Sequence, residues 1–436
     1  MSNEPATKPA ISPTQSELIE SNLSKFLEEI TALIDNLPFQ LTMISIKHRN
    51  LLEKLEKIST QHIKTDDKGN ESTIYRVVSE HADEFTKIHK LLRRLDIAKK
   101  ILPRNYIVSI VSQYDAFLGE LCRILFEINP NIIRSSEKTW NAEDIFNYKT
   151  LDELKEHMID KEVDSLLREE HHEQLKILER KITKVANKEF TLTTDLAILP
   201  CFVELTQRRN LFVHTNGLIT RQYLEAKSRW KFETECSGNL NEELKADQEY
   251  CEKSFRTLFE MAVKLTHVLW RKLVPTDREK ADIHLNQTIY ELLLDGKYEL
   301  AIVISDFALN VIKRFSKEQF RKFIIINKAI AFKVLGKPDK CQNILNAEDW
   351  SIGNEFKLAK AILEDDYEEA KKMMLKIGSL DELVNKYAYK NWPLFKDFRK
   401  SKEFLDAYQT IYGEDFVFEE KQENARINDV DLELEN

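Results

Sequence analysis

Residues 105–128 read NYIVSIVSQYDAFLGELCRILFEI, a long apolar helical run that opens two residues after Pro103 and closes at Asn129-Pro130-Asn131. Proline ends a preceding helix and is tolerated in the first turn of the next. The run is therefore expected to be one helix, bounded by Pro103. Upstream, Val77, Val78, Phe85, Ile88, Leu92 and Leu95 form a single apolar stripe and predict a helix from about Ile74 to Leu102. The polar stretch TDDKGNEST at 65–73 precedes it. Before that come ELIESNLSKFLEEITALIDNL, with Ser16 as the expected N-cap, and a second helix through LTMISIKHRNLLEKLEKI. Downstream, residues 151–182 read as one long charged helix, and Pro200 precedes CFVELTQRRNLFVH. A further helix is expected over about 241–273, closed by Pro275. The chain of 436 residues has only 9 Gly and 10 Pro, and Pro5, Pro9 and Pro13 lie in the first 13 residues. So little turn-forming material predicts an all-α fold.

Composition removes whole classes of function. No GxxxxGK[ST] and no GxGxxG occurs, which argues against nucleotide-driven enzymes and dinucleotide oxidoreductases. Cys122, Cys201, Cys236, Cys251 and Cys341 are scattered with no CxxC pair, so neither a zinc site nor a disulfide framework is expected. No metal site and no cofactor are expected. The start MSNEPATKPAISPTQS lacks an apolar core, and no run of about 18 apolar residues follows. That predicts a cytoplasmic protein with no membrane association. The net charge of −9 is local: residues 414–436 hold nine acids and two bases, a net of −7.

After Pro275 the pattern shortens. Leu294-Asp295-Gly296-Lys297-Tyr298 leads to Ala301, Leu335-Gly336-Lys337-Pro338 leads into KCQNIL, and Leu363-Glu364-Asp365-Asp366-Tyr367 leads to Ala370. Tyr298 and Tyr367 are 69 residues apart, close to two repeats of ~34. This stretch, about 280–412, resembles degenerate tetratricopeptide-type helical hairpins. The resemblance implies a groove that holds a protein partner, not chemistry.

The chemistry-bearing segment is 204–224, ELTQRRNLFVHTNGLITRQYL. Arg209, Asn210 and His214 within it resemble the Arg-x(4–6)-His motif of the HEPN superfamily, small helical bundles that include many metal-independent ribonucleases of bacterial toxin and antiphage systems. The resemblance covers about 100–273. It implies RNA as substrate and a homodimer whose two motifs share one cleft. It also implies His214 as proton carrier, Arg209 as charge stabiliser, and a polar group from an upstream helix, for which Asp115 is the candidate. Both Arg209 and His214 are present, which favours an enzyme over a non-catalytic relative.

The residue types agree with that chemistry. Metal-free RNA cleavage uses the ribose 2′-OH as nucleophile, so a group near neutral pKa must move a proton and a cation must stabilise the phosphorane. On one helix Asn210 and His214 share a face, whereas Arg209 lies about 140° from His214. A two-fold axis would bring the two motifs together. Gly217 is the expected C′ residue. Segment 207–231 carries Arg208, Arg209, Arg221, Lys227, Arg229 and Lys231 against Glu225, with Phe212, Tyr223 and Trp230 interleaved. Cations with aromatics suit single-stranded RNA, which makes Arg208, Arg221, Tyr223, Lys227 and Arg229 candidate RNA contacts. His171 and His172, in REEHHEQ, are read as a solvated charged face.

The expected organisation is a disordered start (1–15), an N-terminal helical region (16–102) and a HEPN-like nuclease bundle (103–275). A tetratricopeptide-like repeat domain (277–412), facing a possible protein partner or antitoxin, and an acidic tail (414–436) follow.

Overall fold

The computed structural model describes residues 13–65, 71–134, 145, 147–234 and 238–418. The expected disordered start falls almost entirely outside them, as do Cys236 and all but the first residues of the acidic tail. The fold is all-α, with one two-stranded hairpin among the described residues. By its internal contacts the chain divides into two compact units, 1–284 and 285–436. The division falls within a helix beyond Pro275, and the regions expected at 16–102 and 103–275 belong to one unit.

In the first unit, α1 (Gln15–Ile58) and α2 (Ala82–Ile128) form an antiparallel pair joined through β1 (Ser59–Thr65) and β2 (Glu71–Val77). The two helices expected before residue 59 are one, which continues through Pro38, and α2 continues through Pro103, which was expected to end a helix. An interior proline costs about 3 kcal/mol. Packing along two long apolar faces offsets that cost, since helix stability in a protein comes mostly from the buried face. The cap of α1 is Thr14, not Ser16: Thr14 Oγ1 accepts from the Glu17 amide and the Glu17 carboxylate accepts from the Thr14 amide. Ser16 is buried, accepting from Trp270 Nε1 (3.1 Å) and donating to Asp277 (2.8 Å). The hairpin replaces the expected start of a helix at Ile74. Its register pairs Ser59 with Val77 and Gln61 with Tyr75. Leu55, Ile88 and Leu92 form a small core beside it, with Tyr75 and Phe85 packed on them, whereas Val78 is exposed.

The segment 105–128 is the pillar of this unit. Tyr106, Ile107, Ile110, Val111, Tyr114, Phe117, Leu118, Leu121 and Phe126 are all buried on it. α2 packs against α1, α4 (Leu151–Leu167), α6 (Leu199–His214) and α8 (Gln248–Leu273), and touches the single-turn α3 (Asn131–Arg134). The charged stretch 151–182 is two helices. The Gln174 side chain donates to the Leu167 and Glu169 carbonyls, which closes a corner between α4 and α5 (His171–Ala186). α7 (Arg221–Trp230) follows α6, capped by Thr220.

Helix α9 (Arg278–Leu294) spans the division. In the second unit, α10 (Tyr298–Asn310), α11 (Glu318–Val334), α12 (Pro338–Asn346), α13 (Asn354–Leu363) and α14 (Tyr367–Ile377) follow, then α15 (Lys386–Asn391) and α16 (Lys402–Tyr412). The three turns picked out from the sequence share one geometry. Gly296, Gly336 and Asp365 are left-handed (φ 70°, 66° and 61°). The next amide in each case bonds back to the helix, Lys297 to Leu292 (2.8 Å), Lys337 to Phe332 (2.9 Å) and Asp366 to Ala361 (2.9 Å). Ala301, Cys341 and Ala370, three residues into each following helix, are buried. The spacing is uneven, 40 residues from Gly296 to Gly336 and 29 from Gly336 to Asp365.

A buried histidine pair ties α8 to α9 within the first unit. His284 Nδ1 lies 3.3 Å from His267 Nε2, and His284 Nε2 lies 3.2 Å from Ser24 Oγ. Burial lowers the pKa of both rings, that of His284 from 6.5 to about 4. The unfolded chain therefore binds more protons than the folded one below pH 6.5. Stability is full above that pH and falls as pH drops toward about 4, by about 3 kcal/mol for His284. The prediction is that His284→Asn flattens this part of the stability–pH curve by about one proton in slope, measured by urea unfolding at stepped pH. An unchanged slope would show that His284 is not buried neutral.

Candidate active site

Helix α6 carries two consecutive arginines with opposite fates. Arg208 continues the buried face begun by Phe202, Leu205 and Glu204 and is 1% exposed. Its Nε donates to Glu204 Oε1 (2.7 Å), its Nη1 donates to the Lys245 carbonyl (2.9 Å), and its guanidinium lies 3.7 Å over the Tyr250 ring. The hydroxyls of Tyr223 on α7 and Tyr250 on α8 each donate to Glu204 at 2.8 Å. Burial and the Glu204 carboxylate push both hydroxyls well above the usual tyrosine value, so they remain donors. Arg208 and Tyr223, expected to touch RNA, are thus structural: their polar atoms are spent inside the protein and their surfaces are covered.

One residue further, a turn of about 100° takes Arg209 out of that core. Its Nη2 donates to Asp115 Oδ2 on α2 (3.0 Å), and its Nη1 donates to Asn210 Oδ1 (3.1 Å). The other Asp115 oxygen lies 2.8 Å from His171 Nε2, in the first turn of α5. The side chains of Arg209 and Asp115 keep 22% and 29% of their surface exposed, so the pair is open to a ligand. Three of the four expected catalytic residues, Asp115, Arg209 and Asn210, therefore meet. His214 does not join them. It is exposed in the last turn of α6, beside the exposed Val213 and Leu218. Beyond it Asn216 is the first left-handed residue (φ 53°), one position before the expected Gly217, which follows at φ 85° and bonds the Leu211 carbonyl (2.9 Å).

The sequence reading missed His171 and His172. Both are buried, not solvated. His171, Leu175, Leu178 and Ile182 follow at spacings of four, three and four and are all buried, so the core face of α5 was present in the pattern. His172 lies 3.4 Å from Glu170 and 3.2 Å from Glu173, and burial lowers its pKa against the pull of those carboxylates. Trp230 closes over it, with ring centroids 5.0 Å apart.

Of the other expected RNA contacts, Arg221 and Arg229 are exposed, whereas Lys227 is half-buried and donates to Thr234 Oγ1 (2.8 Å). Lys176 and Arg229 flank the Trp230 ring at 5.7 and 5.6 Å. Tyr114, next to Asp115 on α2, is fully buried, and Glu120 faces Arg123 (3.8 Å). Burial pushes the Cys122 and Cys251 thiols up to about 12, so neither is a ready nucleophile. Among the described residues no group of three or more His, Cys, Asp or Glu side chains is placed to hold a metal, and no helix is long and apolar enough to cross a membrane.

No protein-family model, curated protein or solved structure matches the chain.

The Glu204 cluster ties α6 to α7 and α8 through buried bonds. Glu204→Ala leaves the Arg208 charge buried without its carboxylate and should destabilise the first unit by about 3–5 kcal/mol. Arg221→Ala, at an exposed position, should stay within about 0.5 kcal/mol of the parent. Urea unfolding of the two variants measures the contrast.

Proposed function

We propose that this protein is a metal-independent endoribonuclease whose composite Arg/His site forms between two copies of the chain. The observation that carries the reading is the split of one helix end. Arg209 is held beside Asp115 and Asn210, while His214, about 140° further round α6, is presented outward. Their separation of about 140° round α6 disfavours both groups of one chain meeting at one phosphate. A two-fold pairing of α6 ends would bring them there, with the exposed Val213 and Leu218 as apolar surface beside the axis. The 2′-OH attacks phosphorus, His214 moves a proton, and Arg209 carries the charge gathering on the non-bridging oxygens. Arg221, Arg229 and Trp230 offer charge and a stacking ring for the flanking strand.

A toxin or antiphage setting in the cytoplasm fits such an activity. The three hairpins with a common turn in the second unit support a tetratricopeptide-like surface for a protein partner or antitoxin. They also favour the second reading, a non-catalytic RNA-binding adaptor of the same build.

Activity separates the two readings. His214→Ala should lower the cleavage rate by roughly 10²–10⁴ and Arg209→Ala by on the order of 10²–10³. Cleavage should survive EDTA and leave 2′,3′-cyclic phosphate ends or their opened form. It should fail at a position where a single 2′-deoxy nucleotide replaces the ribonucleotide. A His214→Ala protein that cuts as fast as the parent removes the enzyme reading.

A further inference from the structure

Cleavage through the 2′-OH moves two protons. The attacking oxygen loses one as its bond to phosphorus forms, and the 5′ oxygen gains one as its bond to phosphorus breaks. The attacking and leaving oxygens stand in line on opposite sides of phosphorus, so one imidazole reaches only one of them, and the second carrier is either the His214 of the other copy or a further side chain. Resting on the ribonuclease reading, we propose that His171 is that second carrier, held in place by Asp115.

The geometry assigns it this part. Asp115 binds Arg209 with one oxygen (3.0 Å) and the His171 ring with the other (2.8 Å). The imidazole is therefore one carboxylate away from the guanidinium that would hold the phosphoryl oxygens. A carboxylate on Nε2 fixes which ring nitrogen carries the hydrogen and leaves Nδ1 to exchange a proton, the arrangement in which an acid residue orients a catalytic histidine. The ring is held by aromatic neighbours, with the Tyr114 centroid at 6.3 Å and the Phe202 centroid, edge on, at 5.9 Å. The charged and titratable groups around this corner come from four helices. Asp115 and Tyr114 lie on α2, Arg209 on α6, His172 and Glu173 on α5 beside it, and Glu170 is the residue that precedes α5. Arg229 on α7 is 4.0 Å from Glu173, and Gln222 on α7 is 3.2 Å from Glu170.

The balance is simple. One imidazole starts neutral and takes the 2′-OH proton, the other starts protonated and gives its proton to the 5′ oxygen. The products are a 2′,3′-cyclic phosphate and a free 5′-OH. The histidines finish with their protonation exchanged and return to the starting state through solvent.

The test uses the full chain and single-turnover RNA cleavage across the pH range in which imidazoles titrate, about 5 to 9. In His171→Gln the new amide still donates to Asp115, so the Arg209 anchor is kept while proton exchange is lost. The expected result is a rate loss of roughly 10²–10⁴ with little change in RNA binding and with one limb of the pH profile gone. Retention of both limbs overturns the proposal, whether the rate stays at the parental value or falls, because a fall alone marks His171 as a positioning residue. Should His171→Gln fail to fold, Asp115→Asn serves: it should shift the midpoint of that limb and leave the other in place, and an unmoved limb is the overturning result. If His214→Ala is inactive while His171→Gln keeps full activity, only this inference fails. If His214→Ala is as active as the parent, the ribonuclease reading fails with it.

Discussion

A single buried carboxylate, Glu204, holds the first unit in register. A lone ionised carboxylate inside a protein is costly, and it is retained only when its lone pairs are filled. Here Arg208 supplies the opposite charge and Tyr223 and Tyr250 supply two further donors. These four side chains come from three helices, so satisfying the charge fixes α6, α7 and α8 relative to one another. The Arg208 guanidinium also stacks on the Tyr250 ring and bonds the Lys245 carbonyl, which leaves it little freedom to reorganise. Because α6 cannot rotate without breaking this set, the direction in which Arg209 leaves the helix is settled as well.

The second constraint is the length of α2. A helix of 47 residues passes from the hairpin at one end to the core at the other. Asp115 lies on the stretch where that helix is surrounded by α1, α4, α6 and α8. A carboxylate placed there is carried by a stretch packed against four helices, and the partners it reaches, Arg209 and His171, come from two other helices. The cluster thus draws on positions 115, 171 and 209, far apart in sequence and brought together only by packing.

That separation explains which features were legible in advance. The all-α class follows from the scarcity of Gly and Pro and from the apolar run 105–128, and it is the fold observed. The helical turns near Gly296, Gly336 and Asp365 were readable because a left-handed turn has a local sequence signature. The errors arose where tertiary packing overrode a local rule. Pro103 looks like a stop, yet it lies inside a helix whose buried face outweighs one missing hydrogen bond, as does Pro38. The strand pair at 59–77 was hidden because Ile74, Tyr75 and Val77 fit a helical stripe as well as a strand. Arg208 and Tyr223 looked like surface cations and aromatics because nothing local reveals that a glutamate four residues before Arg208 will be buried with them. His171 and His172 were set aside because the charges around them masked the apolar spacing of Leu175, Leu178 and Ile182.

The two arginines also show how a fold can keep a half-exposed cation next to a buried one. Neighbouring like charges on a helix repel, and the cost is tolerated when each has its own anion. Arg208 is neutralised inside by Glu204, and Arg209 outside by Asp115. The inner pair is closed, with its donors and acceptors filled by protein. The outer pair is half-open, and a phosphate approaching Arg209 would compete with a carboxylate already shared with His171. Ligand charge and the His171–Asp115 bond are therefore coupled through one side chain. An anion that drew Arg209 toward itself would leave Asp115 more fully to His171, so the two contacts of that one carboxylate are not independent.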